Sequence, residues 1–211
     1  MKKILVVAAH SDDPVIGMGG SIKRFSQRGY EVLVVSVCGD RILGFSDAMD
    51  MLGARSFNFD FSFSNVDGAV LRRELEGLFR KVDPDLVFTH WKREILYDHE
   101  IVSKVVYEIA RKMEKEIFMF EIPASSLDFT FNVAVNVSDT YEYRAKAIME
   151  MKEAFDKKVF EEEILPSVVY PPPFRGIQVG VRFAEVFYSL GSRHPLSPHR
   201  WSLGGSFLLF E

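Results

Sequence analysis

Residues 8–20 read AAHSDDPVIGMGG and place one imidazole and two adjacent carboxylates, His10, Asp12 and Asp13, within four positions. They follow directly on the apolar run KILVV. A helix cap needs one short polar side chain, so a histidine with two carboxylates asks for further chemistry. A second group lies in FTHWKREILYDHE, residues 88–100, where His90 closes another apolar run and Asp98–His99 opens a long amphipathic stretch. Asp98 alone could cap that helix and be favoured by its dipole; His99 has no such structural use. If the two run ends lie side by side, His10, Asp13 and His99 offer two nitrogens and one oxygen. That is the open three-ligand set of a catalytic zinc, with water in the fourth position. Zinc lowers the pKa of its water to about 7, so Asp12 would be an adequate base beside it.

The surrounding elements must hold these groups in place. KKILVVAA, EVLVVSVCG, PDLVFTH and EIFMFEI are short apolar runs rich in β-branched and aromatic residues, read as strands buried on both faces. GGSIKRFSQRGY, SDAMDMLGA, LRRELEGLFRKV and DHEIVSKVVYEIARKMEK alternate with them and have helical spacing. RSFNFDFSF is a strand whose Phe57, Phe59, Phe61 and Phe63 share one face, expected to be core, and FNVAVNVSD is a further strand. TYEYRAKAIMEMKEAFDKKVFEEEI reads as one long helix and PSVVYPPPFRG as a rigid loop. This alternation predicts a doubly wound, Rossmann-like α/β fold: one domain over 1–211, a mostly parallel sheet flanked by helices. In such sheets ligands collect at the carboxyl ends of the strands, where His10 and His90 fall.

Composition narrows the partners. The net charge is −4 and no Lys/Arg run interrupts the chain, which excludes a general attraction for nucleic acid. The first apolar run is about half a membrane span and no later one is longer, so a cytoplasmic protein is expected. The single cysteine, Cys38, rules out an internal disulfide and reads as a small buried residue. GMGG lacks the spacing of a dinucleotide loop, and Asp12 and Asp13 would repel a pyrophosphate. His194 and His199 stand in a Pro-rich stretch read as a surface loop, with His194 the better placed to fold over a pocket. Trp91 and Trp201 are read as surface residues lining a groove or an interface, which leaves a homo-oligomer open.

The order of these motifs resembles the LmbE/PIG-L family of zinc-dependent N-acetylglucosaminyl deacetylases. AAHSDDPVIGMGG is similar to the family's A-H-P-D-D-E and G-x-G-G opening, and RILGFSDAMDMLG, VDPDLVFTH, YDHEIVSKVV, NVSDTYEYRAKAIMEMKEAF and FAEVF follow in the family's order. The resemblance implies one zinc ion per chain on His10, Asp13 and His99. It implies Asp12 as general base, Asp98 as the residue orienting a catalytic histidine, and Arg41 as a contact to an amino-sugar substrate. The departures are specific. Ser11 replaces a proline, Pro14 replaces a glutamate in the first helical turn, and the segment after Gly39–Asp40 is shorter. The family's H-x-D-H reads Leu96-Tyr97-Asp98-His99, so the histidine that stabilises the oxyanion or protonates the leaving amine is a leucine. His90, His194 or Tyr97 could supply that donor, and His90 and His194 are expected, with Arg41, to line the substrate pocket. The expected activity is removal of acetyl from an N-acetylglucosamine-type sugar or conjugate; the alternative is a metal-binding relative, catalytically weakened, that binds a sugar conjugate.

Overall fold

The computed structural model describes residues 2–63 and 65–190, and the backbone of 208–210. Five parallel strands form its core: β1 (Lys3–Ala8), β2 (Glu31–Cys38), β3 (Arg55–Phe61), β4 (Leu86–His90) and β5 (Glu116–Phe120). Three more, β6 (Val133–Asn136), β7 (Ala184–Ser189) and β8 (Leu208–Phe210), extend the sheet to the order 3-2-1-4-5-7-6-8. β7 runs antiparallel to both of its neighbours, so the sheet is mixed but mostly parallel, as the sequence predicts.

Period-two alternation makes the sheet double-faced. Ile4, Val6 and Ala8 of β1 point into one core together with Val15 and Ile22 of α1 (Asp13–Gln27), Met49 and Leu52 of α2 (Phe45–Leu52), and Ile148 of α5 (Tyr141–Glu150). Leu5 and Val7 point the other way, against Leu71 and Leu75 of α3 (Gly68–Val82) and Val102 and Val106 of α4 (Tyr97–Lys112). A strand apolar at every position therefore requires helices on both sides.

Three expectations about elements are corrected. Residues 140–164 are not one helix: α5 ends at Glu150, and Phe155 is extended (φ −121°, ψ 151°). The chain resumes as α6 (Lys157–Val159) and a π-helical turn (Phe160–Ile164). PSVVYPPPFRG is no loop, since it forms most of α7 (Leu165–Val169) and α8 (Pro171–Val179). Prolines open both helices, where a missing N–H costs no hydrogen bond. The Phe57–Phe63 alternation builds core only in part: Phe57 and Phe63 are exposed, while Phe59 and Phe61 are half-buried against one face of it. The reason is topological, because β3 is an edge strand.

α1 is kinked at Met18 (φ −156°), which strands backbone donors in mid-helix. Glu185 of β7 meets them, accepting from the N–H groups of Gly20 (2.8 Å) and Ser21 (2.7 Å). Arg144 of α5 neutralises that carboxylate at 2.7 Å and donates to the carbonyl of Ile16, before the kink. Both partners are buried. Breaking such a pair leaves an uncompensated buried charge. Glu185→Ala is therefore expected to lower unfolding free energy by about 3–5 kcal/mol, read by urea titration. A loss below 1 kcal/mol would mean that the kink holds itself.

Candidate metal and active site

The chain turns back on itself between β1 and β4: β2 and β3 lie to one side, and β5 to the other. At such a switch point the loops diverge and leave a crevice at the strands' carboxyl ends. His10 lies just past β1, His90 ends β4, and Asp98 and His99 occupy the first turn of α4. All four are buried, as are Asp12 and Asp13.

Three donor atoms converge. His10 Nδ1 lies 3.1 Å from His99 Nε2 and 3.5 Å from Asp13 Oδ2, and the last two are 3.4 Å apart. A tetrahedral ion with bonds of about 2.0–2.1 Å sets its ligand atoms about 3.3–3.4 Å apart, so the three fit such an ion on spacing. The far side of each imidazole is also engaged. His10 Nε2 is 2.7 Å from Asp98 Oδ2, while His99 Nδ1 is 3.2 Å from Ser125 Oγ and 3.6 Å from Glu94 Oε2. A carboxylate behind a ligating histidine fixes its tautomer and aims its free lone pair.

The simple capping explanation of the first motif does not match the structure. Asp12 stands at the N-cap of α1 but makes no side-chain cap bond, and its Oδ1 is buried without any hydrogen-bond partner among the described residues. A carboxylate oxygen left this way is costly, unless it serves a ligand or a reacting group. Nor does Asp98 cap α4, whose N-cap is Leu96; its Oδ1 accepts from the His99 N–H and its Oδ2 faces His10.

The charges follow from this crowding. Burial and the neighbouring Asp13 charge push the Asp12 carboxyl up to about 6. Burial disfavours the His10 imidazolium, yet hydrogen bonds to Asp13 and Asp98 outweigh it and push His10 up to about 12. Burial opposes and Asp13 drives the same rise at His99, whose charge in turn holds Asp13 well below the usual carboxylate range against its own burial. The carboxylates thus gather positive charge onto two imidazoles, and a divalent cation at their meeting point would replace those protons.

His90 differs. It is fully buried behind Asp13, and burial first, then the His99 charge, lower its pKa. Its Nε2 accepts from the Ala9 N–H at 2.8 Å. Nε2 is then an acceptor, so its 3.3 Å approach to Asp13 Oδ2 is no ion pair. His90, expected to line the substrate pocket, thus lies buried against the metal-ligand candidates Asp13 and His99. His90 also stacks on His99 with ring centroids 4.1 Å apart and planes 24° apart. His90, Glu94 and His99 also bring one ligand atom each within 4.8 Å of one another, a second group of suitable donors that shares His99 with the first.

Arg41 sits on the loop after β2 with a left-handed φ of 59°, and its carbonyl accepts from Ser11 Oγ. Its guanidinium lies over the rings of Phe63 (6.0 Å) and Phe155 (5.6 Å). Phe63 in turn stacks on His10, centroids 5.1 Å apart. Trp91, expected at the surface, is buried and donates its indole N–H to Asp128. His194, His199 and Trp201 lie outside the described residues.

Sequence reasoning passed over Glu94 and Ser125, and read Cys38 only as a small buried residue. Glu94 follows Lys92 and Arg93 in a short charged run, yet it is buried and held by Ser126. Cys38 is buried with its sulfur within 4.8 Å of ligand atoms of His10 and Asp98. If Glu94 and Asp98 orient the two imidazoles, Glu94→Gln and Asp98→Asn each weaken zinc binding by about 10–100-fold, measured by calorimetry on metal-stripped protein. Unchanged affinity in both would mean that the rings are aimed by packing alone.

No family model matches the chain. Solved structures do resemble it. One is an N,N'-diacetylchitobiose deacetylase from Pyrococcus horikoshii: 22% identity over 93% of this chain and 88% of that one, TM-score 0.76. Another is the zinc-inhibited form of the teicoplanin deacetylase Orf2: 12% identity over 89% and 97%, TM-score 0.74. The chain has the LmbE-like deacetylase fold. The same fold carries a different reaction in GalB, the 4-carboxy-2-hydroxymuconate hydratase of Pseudomonas putida: 21% identity over 92% and 98%, TM-score 0.78. Chemistry must therefore be argued from the site. Among the described residues no helix is long and apolar enough to cross a membrane.

Proposed function

We propose that the protein is a zinc-dependent hydrolase that removes the acetyl group from an N-acetylated amino sugar or its conjugate. The observation that carries this reading is the meeting of His10 Nδ1, Asp13 Oδ2 and His99 Nε2 beside Asp12, whose Oδ1 is buried without a partner. Two imidazole nitrogens and one carboxylate oxygen are the donors zinc prefers at an open site. When bound there, zinc acidifies water and polarises a carbonyl oxygen.

The chain's own residues do the rest. Asp12 Oδ1 accepts a proton from the attacking water as its oxygen bonds to the acetyl carbon. The pKa of about 6 lets Asp12 hold that proton and pass it to the nitrogen as the C–N bond breaks. Acetate and a free amine leave. Arg41 and Phe63 flank the mouth, where a cation and an aromatic face can hold a sugar ring. Asp98 and Glu94 keep the imidazoles of His10 and His99 aimed. Asp12 would be of little use to a protein that only bound its ligand, which favours the enzyme over the weakened relative.

Leu96 supports a second reading. It stands where a proton donor to a leaving amine is expected, and its side chain has no proton to give. Hydration of a carbon–carbon double bond, the reaction named for one fold neighbour, expels no amine and needs only an activated water and an acid at carbon. The two readings separate in one assay with the zinc-loaded protein. N-acetylglucosamine glycosides should release equal amounts of acetate and primary amine. Loss of the ultraviolet absorbance of an unsaturated dicarboxylic acid, with no amine released from any glycoside, would instead establish hydration.

A further inference from the structure

We propose that the site takes an amino sugar carrying a hydrocarbon group, which lies on an apolar collar around the mouth; this rests on the sugar-amide reading above. The collar comes from the loops that follow β2, β3, β4 and β5: Ile42 and Leu43, Phe63, Ile95 and Leu96, and Leu127. These side chains are large, apolar and exposed, with Leu43 at 61%, Ile95 at 63% and Leu127 at 75%. Apolar side chains concentrated at one end of a fold mark a binding surface.

Direct contacts tie both sides of the collar to the reaction centre. On the β2–β3 side, Phe63 stacks on His10 and the Arg41 carbonyl holds Ser11. On the β4–β5 side, the Ile95 N–H donates to the carbonyl of Ser125, whose hydroxyl faces His99. The collar is therefore continuous with the catalytic groups. A second copy of the chain seated on it would close the mouth to substrate. A polar aglycone, such as another sugar or a small polyol, would lay hydroxyls against leucine and isoleucine and lose hydrogen bonds to water. An alkyl or aryl group bonded to the sugar would lie there at no such cost.

The test uses metal-stripped full-length protein and two probes, the methyl and the octyl β-glycosides of N-acetylglucosamine, the latter below its micellar concentration. A half-buried methylene contributes about a factor of two in affinity, so seven of them should tighten binding on the order of 10²-fold. In the triple variant Leu43→Ser/Ile95→Ser/Leu127→Ser, all at exposed positions, the octyl-to-methyl ratio should fall close to one. Equal binding of the two glycosides by the unaltered protein would overturn the collar. So would a chain-length preference that the triple variant retains, or sedimentation showing a dimer that the variant dissolves with no preference for either probe. Because binding is read on metal-stripped protein without turnover, a collar that discriminates between the probes, while the zinc-loaded protein releases no amine from either glycoside, refutes the deacetylase reading and leaves the collar standing.

Discussion

Asp12→Asn lowers the turnover of an N-acetylated amino sugar by about 10²–10⁴-fold, the usual contribution of a positioned general base, and leaves zinc affinity within a few-fold. The two halves of this result belong together. Asn keeps the shape of the side chain, but the atom at the position of Oδ1 cannot carry a proton from water to nitrogen. The three converging donors, His10, Asp13 and His99, are untouched by the change. Amine release gives the first number and calorimetry the second. The unaltered enzyme adds a pH signature. Burial and Asp13 raise the Asp12 carboxyl to about 6, a base works only when deprotonated, and a bound cation favours the carboxylate. Activity should therefore rise with pH and level off at or just above about pH 6. An Asp12→Asn protein with full activity would remove Asp12 from the reaction.

The second large effect is on the metal. His99→Ala should weaken zinc binding by more than the about 10–100-fold that loss of an outer partner costs, because it deletes a donor rather than its support. It tests whether two segments some ninety residues apart build one site. Binding to the unaltered protein should also release protons and strengthen as pH rises. His10 is pushed up to about 12 by Asp13 and Asp98 against its burial, and His99 is raised likewise. His10 holds a proton at neutral pH that a metal must displace, and the rise at His99 acts in the same direction. Calorimetry in buffers of different ionisation enthalpy counts the protons released, about one from His10 and a further contribution from His99 if both imidazoles ligate. Tight binding that survives His99→Ala and releases no proton would place the metal elsewhere.

Much of this arrangement is legible along the chain because it is local. The strands β1, β2, β4 and β5 are continuous apolar runs, and helices with one apolar face stand between them. That pattern has few solutions other than a sheet covered on both sides. His10, Asp12 and Asp13 are conspicuous because a cap does not need three such groups, and His99 because a first helical turn has no use for an imidazole. Elsewhere local signals mislead. The phenylalanines of β3 alternate as core residues do, but strand order, which no local pattern carries, leaves that strand at the edge. The prolines of α8 read as a loop because the first turn of a helix and a rigid turn tolerate proline equally. β7 and β8 carry no strand signal in the sequence, since one mixes polar with apolar residues and the other spans three positions.

By itself, then, the sequence determined the kinds of groups at the site and the layers that carry them, because residue type and periodicity are properties of neighbours in the chain. Tertiary structure alone decided their relations. It set the 3.1–3.5 Å triangle of His10, Asp13 and His99, the unpaired oxygen of Asp12, the burial of His90, and Glu94 behind His99 from within a run of charges. Distance, burial and hydrogen-bond partners depend on which strand ends and loops the crossovers bring together. Those are sums over the whole fold, and no stretch of chain contains them.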